Sequence, residues 1–228
     1  MDLSGKRIWM EKIKSISSAL KTNQTVTRLV LRRNGIGDEE VQALSSVLKV
    51  NQTVTRLHLS RNEIGAKGAQ ALSSALKVNQ TLIHLVLLRN QIEDEGIKYL
   101  TEVLKVNQTL TLLDLSRNQI GAEGMKYLSP ALKINQTLTH LVLSRNEIKS
   151  EGIKSLSSAL KPEDLIENPS RKKEEDTIFH LAIFQNQIEI LFHLLFANNE
   201  KTDQQIISKR NHLLNIKKSK NKKMQLIC

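Results

Sequence analysis

Residues 107–118, NQTLTLLDLSRN, decide the fold of this chain. The tripeptide Asn-Gln-Thr recurs at a constant spacing of 28 residues, beginning at Asn23, Asn51, Asn79, Asn107 and Asn135. In the quoted copy it leads into Leu113 and Leu115 and then Asn118, and the other copies keep the same order. Leucines that alternate with other residues predict a half-buried strand, and the fixed period predicts a repeat architecture. The asparagine after each strand is expected to bond loop backbone groups and to form a ladder along the stack.

The second half of each unit has helical spacing. The segment 94–105 (DEGIKYLTEVLK) places Ile97, Leu100 and Leu104 on one helical face. Pro130, inside the corresponding segment of the next unit, predicts a kinked or shortened helix. Strand-to-helix units repeated in parallel wind in one direction, so we expect strands in one layer and helices in the other.

The repeat resembles a known family. Leu-x-x-Leu-x-Leu-x-x-Asn at a 28-residue period, followed by Ile-Gly-x-x-Gly and a helix, is similar to the ribonuclease-inhibitor type of leucine-rich repeat. The resemblance covers residues 1–161, although Glu40 stands where later units have Gly68 and its equivalents. It implies an α/β horseshoe solenoid with parallel strands on the concave face and helices on the convex face. The family occurs in nucleotide-binding innate-immune receptors and in activators of the Ran GTPase.

The chain begins inside a partial repeat, in which Leu3 is equivalent to Leu31. Because solenoids need covered ends, two interpretations are open. Either Leu3 and Trp9 close the first edge, or the chain is part of a longer protein, which we favour.

The repeat pattern stops after Lys161. Residues 162–176 (PEDLIENPSRKKEED) are polar and charged, which predicts a linker. Within residues 174–199, the stretches TIFHLA (177–182) and ILFHLL (190–195) resemble a single ankyrin repeat, which implies a helical hairpin of marginal stability at 177–199. We expect this hairpin to pack on the last edge of the solenoid, near Leu156 and Leu160. Residues 200–228 carry no acidic residue after Asp203 and are interpreted as a basic, disordered tail.

An arginine directly precedes each ladder asparagine, at Arg33, Arg61, Arg89, Arg117 and Arg145. Neighbouring strands lie about 4.8 Å apart, so we expect these side chains to form a row at one edge of the concave face. Guanidinium groups bind carboxylates and phosphates with paired hydrogen bonds, so the row suits an acidic partner. Duplication of a solvated arginine would produce the same row, and the sequence does not separate the two interpretations.

Other positions on the concave strands vary between units. The candidate partner-binding residues among them are Arg28, Arg32, Arg56, His58, His84, Asp114 and His140. Such variation fits a surface that is differentiated for a ligand, and it fits drift equally well. The histidines occupy different columns and have no acidic cluster beside them, so a metal site is not expected.

The composition of the chain and the absence of certain motifs limit the classes of function that we expect. No apolar run approaches the roughly 18 residues of a membrane span, and Cys228 as the single cysteine excludes an internal disulfide. Signature motifs of hydrolases, zinc proteases and nucleotide-binding loops are absent from the sequence, so we expect no enzymatic activity and no cofactor. The formal net charge of +11 favours acidic partners.

The leading hypothesis is therefore a non-enzymatic scaffold that binds an acidic protein on its concave face and arginine-lined rim. Regulation of a Ran-type GTPase is the alternative, and weak, non-specific nucleic-acid binding through the basic tail ranks third. We expect no membrane association and a monomer or a part of a longer chain. Without a visible secretory signal we expect a cytoplasmic location, in a host cell if the chain is a bacterial effector.

Overall fold

A computed structural model describes residues 1–159 and three short strands at 165–166, 180–182 and 190–191. Within residues 1–159, six helices alternate with five strands. The helices are α1 (Met10–Thr22), α2 (Asp38–Leu48), α3 (Ala66–Leu76), α4 (Glu93–Leu104), α5 (Ala122–Ile134) and α6 (Lys149–Ala159). The strands are β1 (Arg28–Val30), β2 (Arg56–His58), β3 (His84–Val86), β4 (Leu112–Asp114) and β5 (His140–Val142). None of the helices in the described residues is long and apolar enough to cross a bilayer.

The five strands form one parallel sheet in sequence order, and each helix packs against the helix of the next unit. The register follows the 28-residue period, with Leu29 opposite Leu57 and Leu85 opposite Leu113. The predicted parallel strands, each followed by a helix, are thus confirmed. The core lies between the two layers and contains the motif leucines, for example Leu85 and Leu87, with no exposed surface.

The asparagine ladder is present as predicted. Asn62 donates from Nδ2 to the carbonyls of Leu31 (3.0 Å) and Leu59 (2.9 Å), and its Oδ1 accepts the backbone N–H of Asn34 (2.9 Å). One side chain therefore joins two units, and the pattern recurs along the stack. A second ladder comes from the Asn-Gln-Thr motif: Asn51 Nδ2 donates to the Leu20 carbonyl at 2.8 Å.

The partial first unit continues the same stack. Asp2 forms a parallel bridge with Val30, and Leu3 donates its N–H to the Val30 carbonyl at 2.8 Å. The predicted equivalence of Leu3 and Leu31 is therefore correct. Leu3 packs against the core, whereas Trp9 is 68% exposed and is not among the residues packed on the core.

Close approach of a helix to the preceding loop explains the glycine found in the later units. A Cβ at Gly68 would lie 2.6 Å from Ile64 Cγ2 and 2.6 Å from Asp38 Oδ1. In the first complete unit, Glu40 is accommodated at this position and its carboxylate accepts the N–H of Gly37 (3.0 Å).

Of the two effects predicted for Pro130, a kinked or a shortened helix, the shortening is wrong. Helix α5 has 13 residues, two more than α2 or α3. Pro130 lies on the exposed side, where the carbonyl that loses its backbone donor can bind water. The hydroxyl of the neighbouring Ser129 donates to the Met125 carbonyl at 2.7 Å.

The helical hairpin predicted at 177–199 is also wrong for the residues that are described there. Three further strands are β6 (Leu165–Ile166), β7 (His180–Ala182) and β8 (Ile190–Leu191). Strand β7 pairs antiparallel with β5, and β8 pairs in parallel with β6. A strand at this place satisfies the backbone N–H and C=O groups that the edge of β5 would otherwise leave unpaired. The rest of the predicted hairpin, most of the predicted linker and the predicted tail lie outside the described residues.

Candidate partner-binding surface

The side chains that point away from the core form three columns along the strand layer. The register of the sheet places one column at Arg28, Arg56, His84, Leu112 and His140, and a second at Val30, His58, Val86, Asp114 and Val142. A third column follows the strands at Arg32, Ser60, Leu88, Ser116 and Ser144. Val30, Ser60 and Ser116 are buried, whereas the other members are half-buried or exposed. We call this surface the strand face.

The arginine row borders the strand face, and its backbone conformation is unusual. Arg33, Arg61, Arg89, Arg117 and Arg145 have φ values of 56°, 55°, 60°, 55° and 58°. This left-handed region is uncommon for residues other than glycine and asparagine. The backbone N–H of Arg61 donates to the Leu88 carbonyl (2.8 Å), and Arg33, Arg89 and Arg117 make the equivalent bond to the next unit. We call these five residues the arginine rim.

The left-handed conformation of the rim was not predicted from the sequence, although one signal for it was present. Gly5 occupies the rim position of the partial first unit and has φ 65°. Its N–H donates to the Arg32 carbonyl (2.8 Å), just as the N–H of Arg33 donates to the Ser60 carbonyl (3.1 Å). A glycine at this phase of the repeat indicates that the backbone there favours a positive φ.

Charges along the rim repel one another. The pKa of Arg61 is lowered, first by the charge of Arg33 and further by partial desolvation and by the charges of Arg32 and Arg89. Within the described part of the chain, no ion pair is formed by Arg33, Arg61, Arg89 or Arg117; the pairs found there join lysine to glutamate. At Arg33, Arg61, Arg89 and Arg117 the rim is therefore a row of like charges with which no carboxylate of the described residues pairs.

The strand face is cationic at one end and contains a carboxylate towards the other. Arg28, Arg32 and Arg56 lie on the first two complete units. Two strands farther on from Arg56, Asp114 accepts the backbone N–H of Ser116 (2.9 Å) and its hydroxyl (2.7 Å). Ser144 donates to the Ser116 hydroxyl at 3.0 Å. The face thus has a direction, from guanidinium groups to a carboxylate and hydroxyl cluster.

Two histidines of the strand face have depressed pKa values. Burial lowers the pKa of His58, and the charges of Arg32 and Arg28 lower it further. Burial also lowers the pKa of His84, with smaller contributions from Arg56 and His140. Both shifts favour the neutral form of the imidazole. Among the described residues, no group of three or more His, Cys, Asp or Glu side chains is arranged to hold a metal ion.

Comparison with protein-family models identifies the class of the repeat. Residues 4–93 match the model of the TMOD/LMOD leucine-rich domain, and residues 106–129 and 135–157 match a leucine-rich-repeat model. The chain is thus a leucine-rich-repeat protein. A comparison with curated proteins gives no match.

Two of the solved structures that share this fold serve as examples. The first is the leiomodin-1 actin-binding site 2; it is 22% identical with a TM-score of 0.53, and the match covers 66% of this chain and 84% of that one. The second is the tropomodulin C-terminal domain of Caenorhabditis elegans, 15% identical with a TM-score of 0.52, covering 64% of this chain and 90% of that one. At these identities the likeness concerns the fold alone.

Proposed function

We propose that this chain is a non-enzymatic scaffold that binds a protein partner through the strand face and the arginine rim. In this proposal the stack is an arched solenoid of the ribonuclease-inhibitor type, with the strand face on its concave side. The observation that carries the proposal is the rim itself: five arginines at one position of the repeat, four of them without an ion pair in the described residues.

The backbone conformation favours a role for the rim side chains. A left-handed conformation costs a non-glycine residue about 1–2 kcal/mol. Gly5 shows that the repeat accepts glycine at this position, with the same hydrogen bond to the next unit. If the position served only the backbone, glycine would serve it at lower cost. Arginine in all five complete units therefore supports a function for the guanidinium groups.

The distribution of charge indicates how a partner would be oriented. Acidic groups of the partner would lie against Arg28, Arg32 and Arg56 and the adjacent part of the rim, where arginine binds carboxylates with paired hydrogen bonds. Hydrogen-bond donors of the partner would lie near Asp114 and Ser144. His84, on β3, would lie between these ends, whereas His58 lies on β2 at the cationic end and His140 on β5 at the other. Because charge complementarity governs encounter and register, the rim would act mainly on the association rate.

Actin is the first partner to test. The reason is that the leiomodin-1 structure with the same fold is an actin-binding site. An intracellular location, expected from the sequence, is compatible with this partner. The Ran-type alternative gains no support from the matched families, and a stimulated-hydrolysis assay with Ran would test it directly. Nucleic-acid binding depends on residues 200–228, which lie outside the described part of the chain.

The experiment measures the association rate of monomeric actin across a salt series. We compare the wild-type chain with Arg61→Glu/Arg89→Glu/Arg117→Glu. A control, Lys12→Glu/Lys67→Glu/Lys154→Glu, makes the same change in net charge at exposed helical positions. The rim variant should associate at least tenfold more slowly at low salt, with a shallower salt dependence, while the control stays within about threefold of wild type. Equal association rates for the two variants would show that the rim does not contribute to actin binding. If the wild-type chain does not bind actin, actin is not the partner.

A further inference from the structure

A second row of exposed residues lies at the C-terminal ends of the helices, away from the strand face. At each of four helix ends a lysine is followed by an aliphatic residue: Lys49–Val50, Lys77–Val78, Lys105–Val106 and Lys133–Ile134. The aliphatic residues are 61%, 57%, 59% and 56% exposed. We call these eight residues the flank row.

The flank row stands on a continuous, hydrogen-bonded backbone. Asn79 Nδ2 donates to the carbonyls of Leu48 (2.7 Å) and Asn51 (3.2 Å), and Asn107 Nδ2 donates to Leu76 (2.8 Å) and Asn79 (3.4 Å). The turns that carry the row are thereby joined from one unit to the next. Its members keep a fixed spacing, which a flexible loop would not provide.

A cavity lies between two of the turns that carry the flank row, at residues 104–108 and 134–137. Lys105, Gln108, Ile134 and Gln136 form part of the lining of a cavity of about 350 Å³. Binding pockets for small ligands begin at about 300 Å³, so the cavity has room for one side chain of a partner together with its backbone. Aliphatic, amide and ammonium groups meet there, which suits a peptide.

The fold accounts for the lysines of the row but not for its aliphatic residues. Lysine at a helix C-terminus is stabilised by the helix dipole. Val50, Val78 and Val106 gain no such benefit and leave most of their apolar surface in water. In the described part of the chain, Lys105 pairs with Glu102 at 2.6 Å, whereas Lys49, Lys77 and Lys133 form no ion pair. The row is therefore both apolar and cationic.

We propose that the flank row binds an extended, acidic peptide segment of a protein partner, in which an aliphatic residue recurs at every third position. Packed helices lie about 8–10 Å apart, so aliphatic residues of the row recur at about that distance. A polyproline-II or extended chain advances about 3.1–3.3 Å per residue and covers one unit with three residues. Acidic side chains between the aliphatic ones then lie beside the lysines. This surface does not depend on the strand face.

Fluorescence anisotropy with a designed peptide tests this proposal on the full chain. The probe contains six Leu-Glu-Pro units, in which proline keeps the peptide extended. The control peptide has the same composition with all leucines at one end. We expect micromolar binding of the probe and at least tenfold weaker binding of the control peptide. The variant Val50→Ser/Val78→Ser/Val106→Ser should bind the probe at least tenfold more weakly than wild type.

Two further variants show where the peptide binds. Trp9→Ser removes another exposed apolar side chain and should leave probe affinity unchanged. The variant Arg61→Glu/Arg89→Glu/Arg117→Glu should keep the preference for the probe over the control peptide, even if overall affinity falls with net charge. Circular dichroism of each variant verifies the fold.

Three results would overturn the proposal. Equal affinity for the two peptides would show that spacing is not recognised. Unchanged affinity in the triple serine variant would show that the row is not the binding surface. Binding of phosphatidylcholine–phosphatidylserine vesicles through the row, in preference to the probe, would assign the row to a lipid surface instead. None of these results bears on the strand face, so the two proposals fail separately.

Discussion

Gly5 and Arg33 stand 28 residues apart, at the same position of consecutive repeats, and share a left-handed backbone with φ values of 65° and 56°. Each donates its N–H to a carbonyl of the following unit. The backbone at this position is therefore set by the repeat, and the side chain can differ without changing it. This separates the structural role of the rim position from the role of its charge.

Substitutions at Arg89 test that separation. Arg89→Gly should change the free energy of unfolding by less than about 1 kcal/mol, because glycine accepts the left-handed conformation at little cost. Arg89→Val should lower it by about 1–2 kcal/mol, because a β-branched residue is strained there. Urea unfolding of both variants and wild type provides the comparison. Equal stabilities of the glycine and valine variants would show that φ at this position does not limit the residue.

Two adjacent leucines test the assignment of core and surface. Leu87 is fully buried beneath the strand face, whereas Leu88 is half-buried on it. Leu87→Ala should lower the free energy of unfolding by about 2–5 kcal/mol, since it empties core volume. Leu88→Ala should cost clearly less, because its side chain already contacts water. The reverse order in a denaturant titration would mean that the strand register is wrong by one residue.

A hydrogen bond between a side chain and the backbone joins neighbouring units at Asp94. Its Oδ1 accepts the N–H of Gly121, at the N-terminus of α5, at 2.6 Å. Asp94→Ala should therefore reduce stability by about 1–2 kcal/mol, because the N–H of Gly121 loses its charged acceptor. The matched control is Glu95→Ala, which removes an exposed carboxylate whose pairing with Lys98 is worth little. If both variants unfold at the same denaturant concentration, the bond from Gly121 to the carboxylate of Asp94 does not stabilise the contact between the two units.

The pH dependence of stability tests the environment of His58. Burial and the charges of Arg32 and Arg28 lower the pKa of His58 in the folded chain. Unfolded histidine has a pKa of about 6.5, so the unfolded chain binds more protons as the pH falls below that value. Stability should therefore decrease on acidification from pH 7 until the folded pKa is reached. The charges of Asp114 and Asp2 act in the opposite direction and raise the pKa of His58.

His58→Gln should lose less stability than wild type between pH 7 and pH 5.5. Arg32→Gln should also lose less stability than wild type over this range, because it removes one of the charges that lower the pKa of His58. Chemical unfolding at the two pH values measures the difference, and a histidine titration followed by NMR measures the pKa itself. Parallel stability curves for all three chains would show that His58 titrates as it does in the unfolded state.

The sequence predicted most of the fold because the repeat presents the same pattern five times. The alternating leucines indicated where the strands lie. The ladder asparagines indicated where the loops lie, because an asparagine amide can be buried in a loop when it forms hydrogen bonds with the backbone groups there. The shortening expected from Pro130 was wrong because that prediction considered its missing N–H and not the side of the helix on which it lies. The left-handed rim was missed because arginine itself has no tendency towards that conformation, and only Gly5 indicated it.

The C-terminal strands could not be predicted from local pattern. Residues 180–182 and 190–191 pair with strands that are distant in the chain, and such pairing depends on which sheet edge is available. The residue types that form the charge gradient of the strand face could be read from the sequence, where Arg28, Arg56 and Asp114 were candidate partner-binding residues. The hydroxyl cluster around Asp114 was not predicted, since it requires the spatial alignment of Ser116 with Ser144.

Affinity capture from cell lysate with three versions of the full chain tests most directly whether the arginine rim binds a protein partner. The three versions are wild type, Arg61→Glu/Arg89→Glu/Arg117→Glu, and the charge-matched control Lys12→Glu/Lys67→Glu/Lys154→Glu. We expect at least one protein that is retained by wild type and by the control, is lost from the rim variant and elutes as salt rises. Retention of the same proteins by all three chains would contradict a binding role for the rim and leave it as a product of repeat duplication.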